Sequence, residues 1–200
     1  RSTAFEMSLF GTGVMKGPFA VDKEYPSWGD DGEYDPSFKT IPQVSHVSVW
    51  NFYPDPDATN MDDAQYVIER HKMSRSQLRS LKKRPHFRPQ VIEEAIEAGE
   101  NYSKKSWEDD LADYAPENHI ERYEVLEYWG NCDVDMLLQQ DIEIPKELQK
   151  LDEIQVNVWI CNGKLIRMVI NPFKPARIPY VAAPYELNPY SFFGVGIAEN

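Results

Sequence analysis

The order of apolar and polar residues changes period several times along this chain, and each change marks an element. Residues 5–20 hold short apolar stretches broken at Gly11, Gly13 and Gly17-Pro18, which predicts the end of a helix passing into a strand or hairpin. Pro26, Gly29, Gly32 and Pro36 then stand among Glu24, Asp30, Asp31, Glu33 and Asp35, the signature of a loop. Residues 44–52 alternate, with Val47, Val49 and Phe52 on related positions, and read as a strand. Two prolines in Tyr53-Pro-Asp-Pro-Asp57 remove ladder donors, so an exposed turn is expected there.

Residues 66–73 return to strand character and lead into the clearest helix start in the chain. Ser74 is placed to cap free backbone N–H groups, Gln77 completes a capping box, and Met73 and Leu78 have the spacing of a hydrophobic staple. Leu78 and Leu81 form one apolar stripe, and Pro85 is expected to end the helix. A second helix is predicted from Pro89, a favourable first-turn proline, to about Ala98, packing through Val91, Ile92, Ala95 and Ile96, with Gly99 behind it. Ser106 with Asp109 caps a third, short helix around Leu111. Residues 121–129 turn extended, with Tyr123, Val125 and Trp129 on one parity. Residues 131–151 are polar, with Pro145 and a short helix at 146–151.

Residues 154–161 and 164–170 flank Asn162-Gly163, the strongest short-range hairpin signal in the chain. Ile154, Val156, Val158 and Ile160 fall on one face, Trp159 and Cys161 on the other, so both faces of that strand are expected to be partly covered. Residues 180–183 form a short apolar strand between Pro179 and Pro184, and residues 190–197 a loop approaching a helix. Arg1 is not an initiator, and both ends read as cuts through a longer protein. No internal repeat or low-complexity linker interrupts this order.

Composition sharpens the picture. The 200 residues carry 33 Asp and Glu against 21 Lys and Arg, a net charge of −12, and 42% hydrophobic residues exclude wholesale disorder. An acidic chain argues against a sequence-specific DNA reader, whose affinity comes from Lys and Arg neutralising phosphates, but does not exclude a channel through which DNA slides without sticking. No apolar run reaches the roughly 18 residues of a membrane span, and no signal-peptide pattern opens the chain. Cys132 and Cys161 imply no disulfide framework and read as small core residues in a reducing compartment. Charge is uneven: residues 70–88 hold Lys and Arg without Asp or Glu, whereas residues 106–153 are dominated by carboxylates.

Candidate chemistry is sparse. His46, His71, His86 and His119 lack metal-ligand spacing and are expected to be surface or hydrogen-bonding histidines. Asp55, Asp57, Thr59, Asp62 and Asp63 form the densest oxygen-rich cluster. An EF-hand starting at Asp55 would need Gly and Glu where Asn60 and Tyr66 stand, so a solvated turn is expected. Asp109 with Asp110, and Asp133 with Asp135, are adjacent carboxylates ordinary for so acidic a chain, although paired carboxylates across a cleft would suit a hydrolase. Gly11-Thr-Gly13 and Gly194-Val-Gly196 are too short for phosphate loops, and Ser8, Ser37 and Ser191 read as structural. Arg75, Arg79, Lys82 and Lys83 are read as a solvated face or as salt-bridged to an acidic neighbouring subunit, with contact to DNA phosphates as the sharper alternative. Phe52, Tyr53, Trp107, Tyr128, Trp129 and Trp159 are expected in cores or subunit contacts. No catalytic, cofactor-binding or metal-binding residue is assigned, and no cofactor is called for.

Asn51-Phe-Tyr-Pro-Asp-Pro-Asp-Ala-Thr59, followed by Met61-Asp-Asp-Ala-Gln-Tyr-Val-Ile-Glu-Arg70 and Met73-Ser-Arg-Ser-Gln-Leu78, resembles portal proteins of tailed bacteriophages, those of short-tailed phages above all. A second region of resemblance is Asn171-Pro-Phe-Lys-Pro-Ala-Arg-Ile-Pro-Tyr-Val181, continuing through Asn188-Pro-Tyr-Ser-Phe-Phe-Gly-Val-Gly-Ile-Ala-Glu199. The resemblance implies an internal segment of a ring subunit, usually dodecameric, sitting at one capsid vertex of the virion and assembled in the host cytoplasm. It implies identical subunits, the major capsid protein, the large terminase subunit and tail adaptor proteins as partners, with double-stranded DNA passing non-specifically during packaging and ejection, and no membrane. It implies no catalysis, since ATP hydrolysis belongs to the terminase.

The fold implied is α+β, a portal wing-like region of mixed helix and strand with an attached small β-rich clip-like region. Residues 1–123 are assigned to the wing with an edge of the stem, 124–187 to the clip-like region, and 188–200 to a return loop and the start of a truncated helix. Long stem helices are the family feature this chain lacks. The rival readings are another head completion or tail adaptor protein, a carboxylate-dependent hydrolase and a soluble interaction module.

Overall fold

The computed structural model describes residues 1–105, 108, 121–140 and 142–198. The chain divides into two compact units, one of Arg1–Trp50, Ala58–Asp63 and Pro179–Asn200, the other of Asn51–Asp57 and Ala64–Ile178. Both combine helices with an antiparallel sheet, the α+β class expected.

In the first unit, helix α1 (Ser2–Phe10) ends on Gly11, whose φ of 78° is the left-handed cap that glycine adopts without a Cβ penalty. The passage from helix to strand read from the glycine breaks is thus present. Strand β1 (Thr12–Tyr25) follows at once and forms a long hairpin with β2 (Ser37–Val47), from Val14 opposite Val47 to Tyr25 opposite Ser37. The pairing slips between Lys16 and Phe19, around Gly17 at φ 125°. Thr12, Val14 and Val47 bury the base of this hairpin, while most of β2 is exposed. There it is held by cross-strand polar contacts, such as the Thr40 hydroxyl donating to Asp22 at 2.5 Å. The acidic loop that closes it sets Trp28 and Tyr34 edge to face at 5.4 Å.

The strand expected at residues 44–52 begins earlier and stops at Val47. The Val49 N–H donates to the Glu6 carboxylate at 3.0 Å instead of joining a ladder, and Val49–Asn51 closes into a 3-10 turn.

The second unit is a five-stranded antiparallel sheet. Its strands are β3 (Phe52–Pro54), β4 (Tyr66–Ser74), β5 (Arg122–Asp133), β6 (Glu153–Cys161) and β7 (Lys164–Ile170), adjacent in that order. The short strand β8 (Tyr180–Pro184) belongs instead to the first unit, where it pairs with β1 in the order β2-β1-β8. After β4 come α2 (Arg75–Ser80), a 3-10 turn at Leu81–Lys83 and α3 (Pro89–Glu97), which lay Leu78, Leu81, Ile92 and Ile96 on Tyr123, Val125 and Cys161. The capping box is formed: the Ser74 side chain accepts from the Gln77 N–H and the Gln77 side chain from the Ser74 N–H.

The opposite face carries Ile154, Val156, Val158 and Met168 against Val134, Leu137 and Ile144. Burial on both faces of β6 follows the alternation in its sequence, apart from Ile160, which stays exposed. Asn162 (φ 51°) and Gly163 (φ 69°) make the β6–β7 turn. Register shifts between Trp159 and Ile160, so Ile166 enters the helix-side core between Arg167 and Leu165.

Several expectations are corrected. Tyr53-Pro-Asp-Pro-Asp57 is not wholly an exposed turn. Phe52–Pro54 is an edge strand, where a proline costs no ladder bond toward solvent, and Asp55 is buried. The polar stretch after β5 contains α4 (Val134–Gln139), whose buried Val134 and Leu137 were too few to announce a helix. The helix expected at 146–151 is a 3-10 turn, Leu148–Lys150. Residues 188–198 hold turns and a bridge between Glu186 and Val195 without a helix. The helix around Leu111 lies outside the described residues.

Candidate functional site

Strand pairing collects the densest chemistry of the second unit on one sheet face. Glu69 and His71 are two apart on β4 and so share a face, and Glu69 is the direct cross-strand partner of Glu127 on β5. Glu127 is 2% exposed and Glu69 9%. His71 Nε2 donates to Glu127 Oε2 at 2.8 Å, while His71 Nδ1 stands 3.6 Å from Glu69 Oε1. The second oxygen of Glu127 is held from elsewhere: Trp129 Nε1 donates to Oε1 at 2.7 Å and Asn157 Nδ2 at 3.2 Å. Asn157 in turn accepts from Trp159 Nε1 at 3.0 Å and from Arg167. The His71 ring lies flat on Trp159, with centroids 5.0 Å apart and planes 5° from parallel. Burial pulls the Arg167 guanidinium below its ordinary range and the Glu127 charge works against that, while its Nε is buried without a hydrogen-bond partner.

One ligand atom each from Glu69, His71 and Glu127 lies within 4.8 Å of the others. Composition hid this set, because the three residues are scattered over two strands. A Glu-x-His pair on one strand face and a glutamate on the buried parity between Val125 and Trp129 are the signals that carry it.

The basic run divides by burial. Arg70 is a core residue, donating to Glu124 at 2.5 Å, to Glu108 at 3.0 Å and to the Ser103 carbonyl at 2.8 Å, with its guanidinium over the Tyr102 ring. Tyr102 also donates to Glu108. Burial favours the neutral form of the Glu108 carboxyl, but the bonds from Tyr102 and Arg70 outweigh it and hold that carboxyl below its ordinary range. Arg79 and Lys82 pair with Glu93, whereas Arg75, Lys83 and Arg84 are exposed. These ion pairs are made within the chain.

The other candidates are local structure. Asp55 accepts from the N–H groups of Asp57 at 3.1 Å and Gln65 at 3.2 Å. In the first unit Asn60 Oδ1 accepts from the Asp62 and Asp63 N–H groups, and Asp63 accepts from Asn60 and Thr59. These oxygens are spent on turns and do not converge as a calcium loop would require. Gly11 and Gly194 meet backbone to backbone, and the Gly194 N–H donates to the buried Thr12 hydroxyl at 2.8 Å. Ser8 donates to the Ala4 carbonyl, and the Ser191 hydroxyl accepts from the Phe193 N–H. His46 faces Glu6 at 3.3 Å, and His86 is exposed at φ 65°. Asp133 and Asp135 are exposed, and Cys132 and Cys161 are free thiols. Phe52, Trp129 and Trp159 are buried, Tyr53 is exposed, and Tyr128 stacks on Tyr66. Trp107, Asp109, Asp110 and His119 lie outside the described residues. No helix among the described residues is long and apolar enough to cross a membrane.

A cleft of about 680 Å³ in the second unit is lined by Pro145, Leu148, Ile154, Pro172 and Phe173 with Glu143, Glu147 and Glu153. Its proline-rich wall is organised by the buried Asn171, which donates to Gln155 at 3.0 Å and to the Arg177 carbonyl at 2.8 Å and accepts from the Phe173 N–H at 2.9 Å. Asp55 and Asn171 thus play the same part in the two proline-rich motifs, a buried polar side chain satisfying the backbone of a turn that proline keeps out of the sheet.

Both motifs fall inside the stretch of the chain that matches a known family. The family model described as phage SU10 portal protein matches residues 35–200. No curated protein matches the chain. With most of its length matched to that model, the chain belongs to the phage SU10 portal protein family, a family of structural virion proteins.

Proposed function

We propose that this chain is part of a structural subunit of a phage portal ring, dodecameric and set at one capsid vertex. The ring conducts double-stranded DNA during packaging and ejection, contacts the major capsid protein, and docks the large terminase subunit and tail adaptor proteins. It assembles in the host cytoplasm and performs no catalysis. The family match over residues 35–200 is the observation that carries this reading.

Charge supports it. A net charge of −12 repeated around a ring gives a negative field through which DNA slides, because few cations are available to release counterions and trap the duplex. Of the acidic stretch at residues 106–153, the exposed Asp133, Asp135, Glu143, Glu147, Asp152 and Glu153 face that channel, and the exposed Arg75, Lys83 and Arg84 counter acidic neighbours between subunits. Residues 1–123 form the wing-like part with an edge of the stem, 124–187 the clip-like part and 188–200 the return loop. The boundary at 123 falls inside β5.

Electron microscopy with mass measurement on the full-length protein tests this. A closed ring of about a dozen copies with an axial opening that passes duplex DNA is expected. Monomers under every assembly condition would overturn the ring, and a map placing residues 106–153 away from the lumen would overturn the channel lining.

A further inference from the structure

The Glu69, His71 and Glu127 cluster is built for more than pairing strands. Two carboxylates directly opposite each other on adjacent strands repel, and the repulsion strengthens as water is excluded. Both are nearly buried and on the same face. His71 hydrogen-bonds one of them, at 2.8 Å, and stands too far from the other, at 3.6 Å, for a hydrogen bond. Two ligands of one tetrahedral ion with bonds of about 2.0–2.1 Å stand roughly 3.3 Å apart. One ligand atom from each of the three side chains already lies within 4.8 Å of the other two.

The surroundings have the form of a metal site's supporting layer. Ligating carboxylates are themselves hydrogen-bonded, which fixes the oxygen that faces the ion. Glu127 has this arrangement, with Oε1 tied by Trp129 and Asn157 and Oε2 turned to His71. The imidazole plane is fixed by its stack on Trp159, and Trp159 is fixed by its bond to Asn157. The groups that orient Glu127 and His71 are on β5 and β6 of the same sheet, so these two candidate ligands are held by rigid elements.

From this geometry we infer that Glu69, His71 and Glu127 bind one divalent transition-metal ion of the zinc class, clamping β4 to β5. One imidazole nitrogen and two carboxylate oxygens are a donor set for Zn²⁺, with a fourth position left to water; Mg²⁺ and Ca²⁺ prefer all-oxygen shells and are disfavoured here. The inference is independent of the portal ring.

Titration of the chelator-treated full chain with ZnCl₂ tests it, followed by calorimetry and thermal melting. One saturable Zn²⁺ per chain is expected, with a rise in Tm that Mg²⁺ does not reproduce. Co²⁺ in place of Zn²⁺ is expected to give a visible d–d band from a nitrogen and oxygen ligand field. His71→Ala is expected to abolish binding, and Glu69→Gln to weaken it at least tenfold. Circular dichroism of the metal-free variants verifies folding; should they misfold, the Co²⁺ band of the unmodified chain decides, and its absence overturns the site. Absence of saturable Zn²⁺ binding, or equal affinity in folded His71→Ala, would also overturn it.

Discussion

The side-chain amide of Asn162, in the β6–β7 turn, donates to the carbonyl of Ala95 in α3 at 2.7 Å, and its second hydrogen goes to Gly99 at 2.8 Å. One residue therefore serves two ends of the local fold: it accepts the left-handed turn conformation and satisfies carbonyls that the end of α3 leaves without partners. Asn162→Gly keeps the turn and removes the caps, so it is expected to cost about 1 kcal/mol. Asn162→Ala adds backbone strain and is expected to cost about 2 kcal/mol. Urea unfolding of the two variants separates the contributions.

Arg70 is 4% exposed and bridges Glu108 and Glu124. Removing it leaves two partly buried carboxylates opposed, and Arg70→Ala is expected to cost about 3 kcal/mol. Arg70→Met, which keeps the stem packed against Tyr102, loses less if the packing matters more than the charge. Comparing the two by denaturant midpoint measures that balance.

Acid should loosen the same cluster. The Glu108 carboxyl titrates below its ordinary value in the fold, so its contribution is fully present above the unfolded value of about 4.3 and is lost as pH falls through the lower folded value. Melting temperature measured from pH 6 down to pH 3 is expected to drop less steeply for Glu108→Gln than for the unmodified chain. Equal slopes would mean that Glu108 carries no linkage.

The two thiols should differ in reactivity. Burial pushes Cys161 up to about 11, and Cys161 packs beside Tyr123 and Val125, whereas Cys132 is only half-buried. At pH 8 an aromatic disulfide reagent is expected to label Cys132 first and Cys161 at the rate of unfolding, because the thiolate is the nucleophile. Peptide mass spectrometry after timed labelling reads the order.

A Cβ at Gly194 would stand 2.6 Å from the carbonyl oxygens of Glu186 and Gly11, whereas one at Gly32 would meet nothing within 4 Å. Gly194→Ala is expected to destabilise the first unit by more than about 2 kcal/mol. Gly32→Ala meets only the strain of φ 78° and is expected to cost about 1 kcal/mol. Limited proteolysis of the two variants distinguishes crowding from backbone strain.

The elements legible in the sequence are those whose signals are local. Ser74 and Gln77 announce a capping box, Asn162-Gly163 a hairpin turn, and the alternation through Tyr123, Val125 and Trp129 a strand, because each depends on neighbours within a few residues. The family, too, was legible from Asn51 to Thr59 and from Asn171 to Val181, where proline spacing constrains the backbone directly.

Tertiary structure decided what long-range pairing controls. The strand at residues 44–52 ended early because a glutamate from α1 took the Val49 N–H, and Asp55 became buried because Gln65 and Asp57 needed an acceptor. Arg70 left the basic surface run for the core because Glu108 and Glu124 met it there. Glu69, His71 and Glu127 came together through the register of β4 on β5, which places residue 69 opposite residue 127. A one-residue slip of β4 would send Glu69 and His71 to the other face, away from Glu127, and no local pattern specifies that register. The sequence by itself thus determined the turns, caps, strand periods and family; the pairing of distant strands determined which charged side chains are buried and which of them meet.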